Sequence, residues 1–298
     1  MSENFRTGFV ALVGRPNVGK STILNYLIGQ KISITSRRPQ TTRHRILGIK
    51  TDAHAQILFV DTPGLHAQQP RAMNRYLNRA AADTLHDVDV VVFVVEGKRW
   101  QEDDDWVLAK LEHVKSPVIV AINKIDRMPD KSELLPRLQA LAEKRDFFAI
   151  IPMCAKTGAH LDELEAAVRQ CLPEAPPQFP EDQVTDKSER FLAAELVREK
   201  LFRKIGDEIP YGLTVEIESF KTEGRTLHIH ALIWVEKDSH KPIVIGNKGA
   251  MLKAVGQEAR EDMQQMFDQK VNLKLWVKVK EGWADDDRAL RSLGYQDE

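Results

Sequence analysis

Gly14–Ser21 reads GRPNVGKS, and it lies between the apolar run FVALVG and the amphipathic stretch STILNYLIG. The octet fits G-x-x-x-x-G-K-[ST], and a strand before it and a helix after it are what the motif's mechanism requires. Backbone amides of such a loop wrap phosphate oxygens at a helix N-terminus, Lys20 reaches the outer phosphates, and Ser21 is placed to ligate Mg²⁺. Gly14, Arg15, Pro16, Asn17, Val18, Gly19, Lys20, Ser21 and Thr22 are therefore the first candidate nucleotide-binding residues.

Working outward, residues 8 to about 172 alternate short β-branched runs (AQILFVD, VDVVVFVVE, SPVIVAINK, FFAIIPM) with longer amphipathic stretches. That alternation predicts an α/β domain over 1–172, a mostly parallel buried sheet with helices on both faces. Asp61 closes one strand and opens Asp61-Thr62-Pro63-Gly64-Leu65. A carboxylate there can serve the magnesium through its hydration shell, and the Gly64 amide can face a terminal phosphate. Asn123-Lys124-Ile125-Asp126 ends the next strand but one. A carboxylate at Asp126 can accept from N1–H and the 2-amino group of guanine, donors that adenine lacks, so the expected nucleotide is GTP or GDP rather than ATP. Cys154-Ala155-Lys156 ends the following strand, where a backbone amide can meet the guanine oxygen. Between Lys31 and Thr51 stand six Lys or Arg and no acid. A threonine in that segment would cap the magnesium in the triphosphate state; Thr42 is the chosen ligand and Thr41 the runner-up, while a solvated basic loop that contacts RNA is a compatible reading.

The stretch Pro173–Asp182 holds four prolines in ten residues and cannot be helical, so 173–185 reads as an interdomain linker. From 186 to 283 the order becomes α-β-β-α-α-β, a smaller α+β domain. Its last helix pair is broken at Gly246-Asn247-Lys248-Gly249, with Lys253 one turn on. No Lys-Ser or Lys-Thr follows this second glycine pair, which argues against a second nucleotide pocket. A Gly-x-x-Gly turn between helices in this element order fits a type II KH domain, whose turn clamps about four unpaired nucleotides. Residues 284–298 read as a docked tail helix.

Composition sets outer bounds. Residues 1–180 carry 24 Lys and Arg against 21 acids, and 181–298 carry 19 against 23, so neither half is a polybasic binder. A local stripe remains, with nine cations and five acids over 237–280. Cys154 and Cys171 have no metal-type spacing, which suits a reducing compartment. No apolar run is long enough to span a bilayer; a cytoplasmic protein is expected, with peripheral contact at the inner membrane left open. His228 and His230 read as solvated, and Trp276 and Trp283 as packing residues for the tail.

Taken together, GRPNVGKST, QKISITS, PQTTRHRI, DTPGLH, NKID, VIGNKGA and WADDDRALRSLGY resemble the translation-factor-type GTPases and, across nearly the whole length, the Era-type GTPases of bacterial small-subunit ribosome assembly. The resemblance implies a P-loop GTPase followed by a KH domain, a monomer that hydrolyses GTP with Mg²⁺ and binds the 3′ end of 16S rRNA in the 30S subunit. It implies catalytic roles for Lys20, Thr42, Gly64 and Asn17, metal ligation by Ser21, Thr42 and Asp61, and RNA contact by Gly246, Asn247, Lys248, Gly249 and Lys253. Asn17 is a candidate potassium ligand, with stabilisation of the loop as the alternative. Cys154 departs from the usual serine, and Leu65 stands where signalling GTPases place a water-orienting glutamine. A nucleotide-stabilised RNA chaperone without coupled hydrolysis, and an ATP-dependent kinase or helicase, are the rival readings.

Overall fold

The computed structural model describes residues 5–65, 72–85, 87–128, 130–206, 209–286, 288 and 290. The chain forms two compact units. The first takes in the described residues up to Ser33, from Thr42 to Leu65 and from Leu77 to Asp186; the second takes in Ile34–Thr41, Ala72–Tyr76 and the described residues from Lys187 on.

The first unit is built on a six-stranded sheet in the order β2-β3-β1-β4-β5-β6. Its strands are β1 (Arg6–Val13), β2 (Ile46–Thr51), β3 (Ala55–Asp61), β4 (Val90–Glu96), β5 (Val118–Asn123) and β6 (Ala149–Pro152). Only β2 runs antiparallel to its neighbour. Every residue from Val90 to Val95 is fully buried, and consecutive side chains point to opposite faces, so both faces of the sheet are covered. The helices between strands include α1 (Lys20–Ile28), α2 (Ala72–Asp83), α3 (Glu102–Leu111), α4 (Leu134–Ala142) and α5 (Leu161–Cys171). Helix α5 repeats buried Leu161, Leu164 and Val168 at helical spacing.

The proline-rich stretch read as a linker is laid along this unit. Pro173 O accepts from Thr7 N at 3.2 Å, and Ala175 N donates to Phe5 O at 3.0 Å. The Gln56 amide serves Gln178 N, Phe179 N and Phe179 O, and Ile49 N donates to Val184 O at 2.9 Å. Phe179 packs on Leu47, Ile49, Leu58 and Val60. Prolines remove donors and exclude a helix, as composition indicates, but the remaining amides, the carbonyls and one phenylalanine are enough to dock the segment.

The second unit contains α6 (Glu189–Lys204), β7 (Leu213–Glu223), β8 (Thr226–Val235), α7 (His240–Ile245), α8 (Ala250–Phe267) and β9 (Lys270–Val279), the expected α-β-β-α-α-β order. Strand β8 pairs antiparallel with β7, through a bulge at Ile217/Ser219, and parallel with β9. Val255, Ala259 and Met263 form a fully buried stripe along α8 and meet Leu196, Val197 and Phe202 of α6 in one core. Ser188 caps α6 by accepting from Phe191 N. Helix α6 also buries Glu195, Arg198, Glu199 and Lys200. Arg198 donates to Glu195 Oε1 at 2.7 Å and to Thr41 O at 2.6 Å, while Glu199 Oε1 accepts from Thr35 N at 2.9 Å and from Arg203 at 2.8 Å. Ile34–Thr41, which sequence order assigns to the nucleotide domain, is thus held on α6.

Trp283 is fully buried and its indole N–H reaches Gly212 O at 3.3 Å. Trp276 differs from expectation: it is 42% exposed and meets the His230 ring edge-on at 5.2 Å, because outward positions on β9 face solvent. The tail helix expected over 284–298 falls mostly outside the described residues.

Candidate nucleotide and nucleic-acid sites

Strand β1 ends at Val13, and the loop turns into α1 through Gly14, with φ +150°, Asn17, with φ 65°, and Gly19, with φ 109°. A Cβ on Gly14 would lie 2.3 Å from Val94 O, and one on Gly19 would lie 2.2 Å from Asn123 Nδ2. Close approach and left-handed backbone both demand glycine there. Lys20, 6% exposed, curls back over the loop, donating to Gly14 O at 2.9 Å and Arg15 O at 3.1 Å. Burial holds its ammonium pKa down at about 8, with Asp61 pulling the other way.

Four groups meet at the start of α1. Ser21 Oγ lies 2.6 Å from Asp61 Oδ2 and 2.8 Å from Thr42 Oγ1, and Ser33 Oγ donates to the same Asp61 oxygen at 2.9 Å. Asp61 is fully buried, and its other oxygen, Oδ1, has no hydrogen-bond partner among the described residues. Burial pushes this carboxyl upward, with Lys20 as the main counterweight. An orphaned buried carboxylate oxygen beside two hydroxyls suits a hydrated hard cation, which takes oxygen ligands and keeps its waters. Thr42 stands at the site, whereas the Thr41 hydroxyl turns to Ser36 Oγ at 2.7 Å and Arg38 O at 2.8 Å. Ser33 was missed by the motif reading. Its signal was QKISITS, which carried resemblance but no assigned role; Asn25 Oδ1 fixes it by accepting from Ile32 N and Ser33 N.

Several expected binding residues have side chains engaged elsewhere in the unit. The Arg15 guanidinium is turned to Glu96 at 2.9 Å and Asp104 at 3.2 Å, and burial lifts the Asp104 carboxyl while Arg15 lowers it. Thr62 Oγ1 donates to Leu12 O at 2.9 Å, and Leu65 is 1% exposed in the core with its amide on Gly14 O. Gly64 lies so close to the phosphate loop that a Cβ would be 2.6 Å from Pro16 N. Leu65 therefore has no side-chain part in orienting water.

On the neighbouring strand ends, Asn123 ties three loops together. Its Nδ2 donates to Val18 O at 2.8 Å, and its Oδ1 accepts from Lys124 N at 2.8 Å and Ala155 N at 2.9 Å. Lys124, with φ 63°, donates to Asn17 O at 2.5 Å. Asp126 is exposed and Oδ1 accepts from the Cys154 thiol at 3.1 Å. Ile125 and Lys156 complete the two segments, the latter exposed.

The Gly-x-x-Gly turn belongs to the second unit, between α7 and α8. Gly246 (φ 74°), Lys248 (φ 49°) and Gly249 (φ 80°) all have left-handed backbone, and a Cβ on Gly246 would lie 2.6 Å from Met251 Cβ. Asn247, Lys248 and Lys253 are exposed, and Ile243 is 50% exposed beside half-buried Ile245. The turn thus presents bare backbone and lysine next to an apolar strip. His228 contacts Asn272 at 3.2 Å, and no metal-type cluster of His, Cys, Asp or Glu occurs among the described residues.

Two outcomes follow from this geometry. Asp126→Ala should weaken GTP and GDP about 10²- to 10⁴-fold through two lost charge-assisted hydrogen bonds, with no gain in ATP affinity; competition between labelled GDP and unlabelled nucleotides checks it. Lys20 holds its proton less tightly when buried, about 8 against 10.5, so the charged form opposes folding below about pH 8, and the penalty fades as pH rises toward 10.5. A phosphate would raise this pKa again. GDP affinity should accordingly fall as pH rises through about 8, and titration of Lys20→Met should lack that pH-dependent fall.

Residues 9–124 match the family model described as 50S ribosome-binding GTPase, and residues 208–284 match the KH domain model. The chain is 60% identical over 292 residues to the GTPase Era of Ectopseudomonas mendocina, covering 98% of both chains. It is 59% identical to that of Marinobacter nauticus, over 98% of this chain and 96% of the other. Among solved structures it resembles Era in complex with MgGDPNP and nucleotides 1506–1542 of 16S ribosomal RNA, at a TM-score of 0.94 and 38% identity over 98% of this chain and 99% of that one. It resembles equally, at 0.94 and 37% over the same shares, a tyrosine-to-alanine variant of Aquifex aeolicus Era bound to GDP·AlF4⁻. With a phosphate loop, an Asn-Lys-x-Asp strand end and a KH unit in one order, and identity of this extent over both units, the chain belongs to the Era family of GTPases.

Proposed function

We propose that this GTPase works as a magnesium-dependent switch that binds the 3′ end of 16S rRNA and acts in assembly of the 30S subunit. The observation that carries the reading is the course of the chain between Ser33 and Thr42. Ser33 contacts Asp61 and Thr42 contacts Ser21, while every residue between them belongs to the second unit and is tied to α6 through Thr35 and Thr41. A change in hydroxyl partners at the nucleotide site is therefore passed along the covalent chain into the unit that carries the KH turn. A protein whose first domain is inert, merely stabilised by nucleotide, has no use for that route.

Ser21 and Thr42 would hold the metal directly and Asp61 through water; when bound, Mg²⁺ neutralises the phosphate oxygens. The loop amides and Lys20 orient the phosphates and stabilise charge developing on them during transfer to water. Gly64, seated against Pro16, brings its amide to the terminal phosphate. Asn17 is the proposed potassium ligand, its left-handed backbone and its carbonyl bond to Lys124 fixing its place in the loop. Gly246–Gly249 would clamp the RNA backbone, with Lys248 and Lys253 adding charge and Ile243 and Ile245 facing the bases. This reading makes the protein a cytoplasmic monomer that meets the inner membrane peripherally at most; no helix among the described residues is long and apolar enough to cross a membrane.

Two measurements test it. A single strand matching the 3′ end of 16S rRNA should bind more tightly with a non-hydrolysable GTP analogue than with GDP, and the N247D/K248D variant should lose binding in both states. Equal affinity in the two states would keep the RNA site and remove the switch. Turnover should slow when potassium is replaced by sodium; an unchanged rate would assign Asn17 to loop stability alone.

A further inference from the structure

The second unit contains a depression of about 700 Å³ lined by Thr35, Ser36, Arg37, Arg38, Phe202 and Arg203. Among the described residues, three guanidinium groups and two hydroxyls line it. The fold draws this positive charge together from two distant parts of the chain, Arg37 and Arg38 from the segment after α1 and Arg203 from α6.

The cationic wall is held in place. Arg203 donates to Thr35 O at 3.0 Å and to Glu199 Oε1 at 2.8 Å, and Glu199 is itself fully buried. Arg38 donates to Gly206 O at 2.7 Å. Ser36 Oγ accepts from Arg38 N at 3.0 Å and lies 2.7 Å from Thr41 Oγ1. Side chains fixed in this way lose less freedom on meeting a ligand, and guanidinium forks match phosphate oxygens. The lining aromatic, Phe202, is fully buried and offers no ring on which a base could stack. The chemistry therefore suits a sugar-phosphate backbone and not a base.

We propose that this depression is a second nucleic-acid contact, taking phosphodiesters of a strand that continues beyond the nucleotides clamped at Gly246–Gly249. The inference rests on the KH reading of the second unit. A KH turn grips about four nucleotides, and a longer strand must find charge elsewhere on the unit. Contacts of this kind position the strand and carry no sequence preference. They also give the basic segment between Lys31 and Thr51 a ligand in addition to its place beside the nucleotide.

The test uses the full-length protein with GDP held constant, fluorescence anisotropy across a salt series, and two labelled RNA strands. One is about four nucleotides long and the other about sixteen, sharing the same core. In R37Q/R38Q the long strand should bind about 10-fold more weakly, and its log-log salt slope should shrink by about 1.4, two phosphates at ~0.7 each. The short strand should be unaffected, and R37K/R38K should regain most of the slope. Because Arg38 also holds Gly206, the single variant R37Q is measured too and should show about half the change in slope. An unchanged slope in R37Q/R38Q, or an equal loss for both strands, overturns the proposal. Binding of inorganic phosphate that R37Q/R38Q abolishes, with the RNA slope unchanged, assigns the depression to a free anion and likewise overturns it. If neither strand binds the wild type, the KH reading has failed and this inference falls with it.

Discussion

The carboxylate of Asp61 is the constraint around which the nucleotide unit is arranged. It sits fully buried at the end of β3, with Oδ2 taken by two serine hydroxyls and Oδ1 without a hydrogen-bond partner among the described residues. A buried charge of this kind is costly unless a partner arrives. Lys20 is the available counter-charge, and it is buried too, so each group shifts the other's proton affinity. The site is built in a state that polyphosphate and a divalent cation would relieve. In the proposed reading, the hydroxyls of Ser21, Ser33 and Thr42 are the groups that would change partners on binding.

Sheet topology explains why those groups meet. Strand β1 lies between β3 and β4, and ligands on open α/β sheets bind beyond the carboxyl ends of strands where the order reverses. The loops after β1, β3, β5 and β6 therefore share one edge, and Asn123 bonds to two neighbouring loops with one amide. The parallel register from Arg6↔Ala55 to Leu12↔Asp61 fixes how far Asp61 projects. A slip of one residue would turn it to the other face of the sheet. Precision at the site is thus inherited from apolar pairing in the strands behind it.

The second unit shows a different use of buried charge. Helix α6 carries Glu195, Arg198, Glu199 and Lys200 almost without exposure, and their partners include backbone of Ile34–Thr41. Well-packed apolar residues would serve stability as well or better. What charged groups add is a direction: a carboxylate accepts from an amide and a guanidinium donates to a carbonyl only in one placement of that segment. The same segment supplies Arg37 and Arg38 to the basic depression, so the short stretch that links Ser33 to Thr42 also builds that surface.

Much of this was legible in the residues themselves. The alternation of short β-branched runs with amphipathic stretches determined an α/β unit, and glycines at 14, 19, 246 and 249 determined two loops of unusual backbone, because local φ and ψ and hydrophobic periodicity are written in short windows of sequence. The strand-end position of Asn123-Lys124-Ile125-Asp126 was legible too, since it follows directly after the apolar run of β5. Sequence order could not show that 173–185 docks by Phe179 and backbone amides and carbonyls, that Trp276 faces water while Trp283 is buried, or that Ser33 joins Thr42 around Asp61. It also could not show that Ile34–Thr41 belongs with α6, more than 150 residues away in the chain. These depend on contacts between segments far apart in sequence, where burial and hydrogen-bond geometry decide the outcome, and no single stretch carries that information. Only the tertiary structure brings the paired atoms within reach.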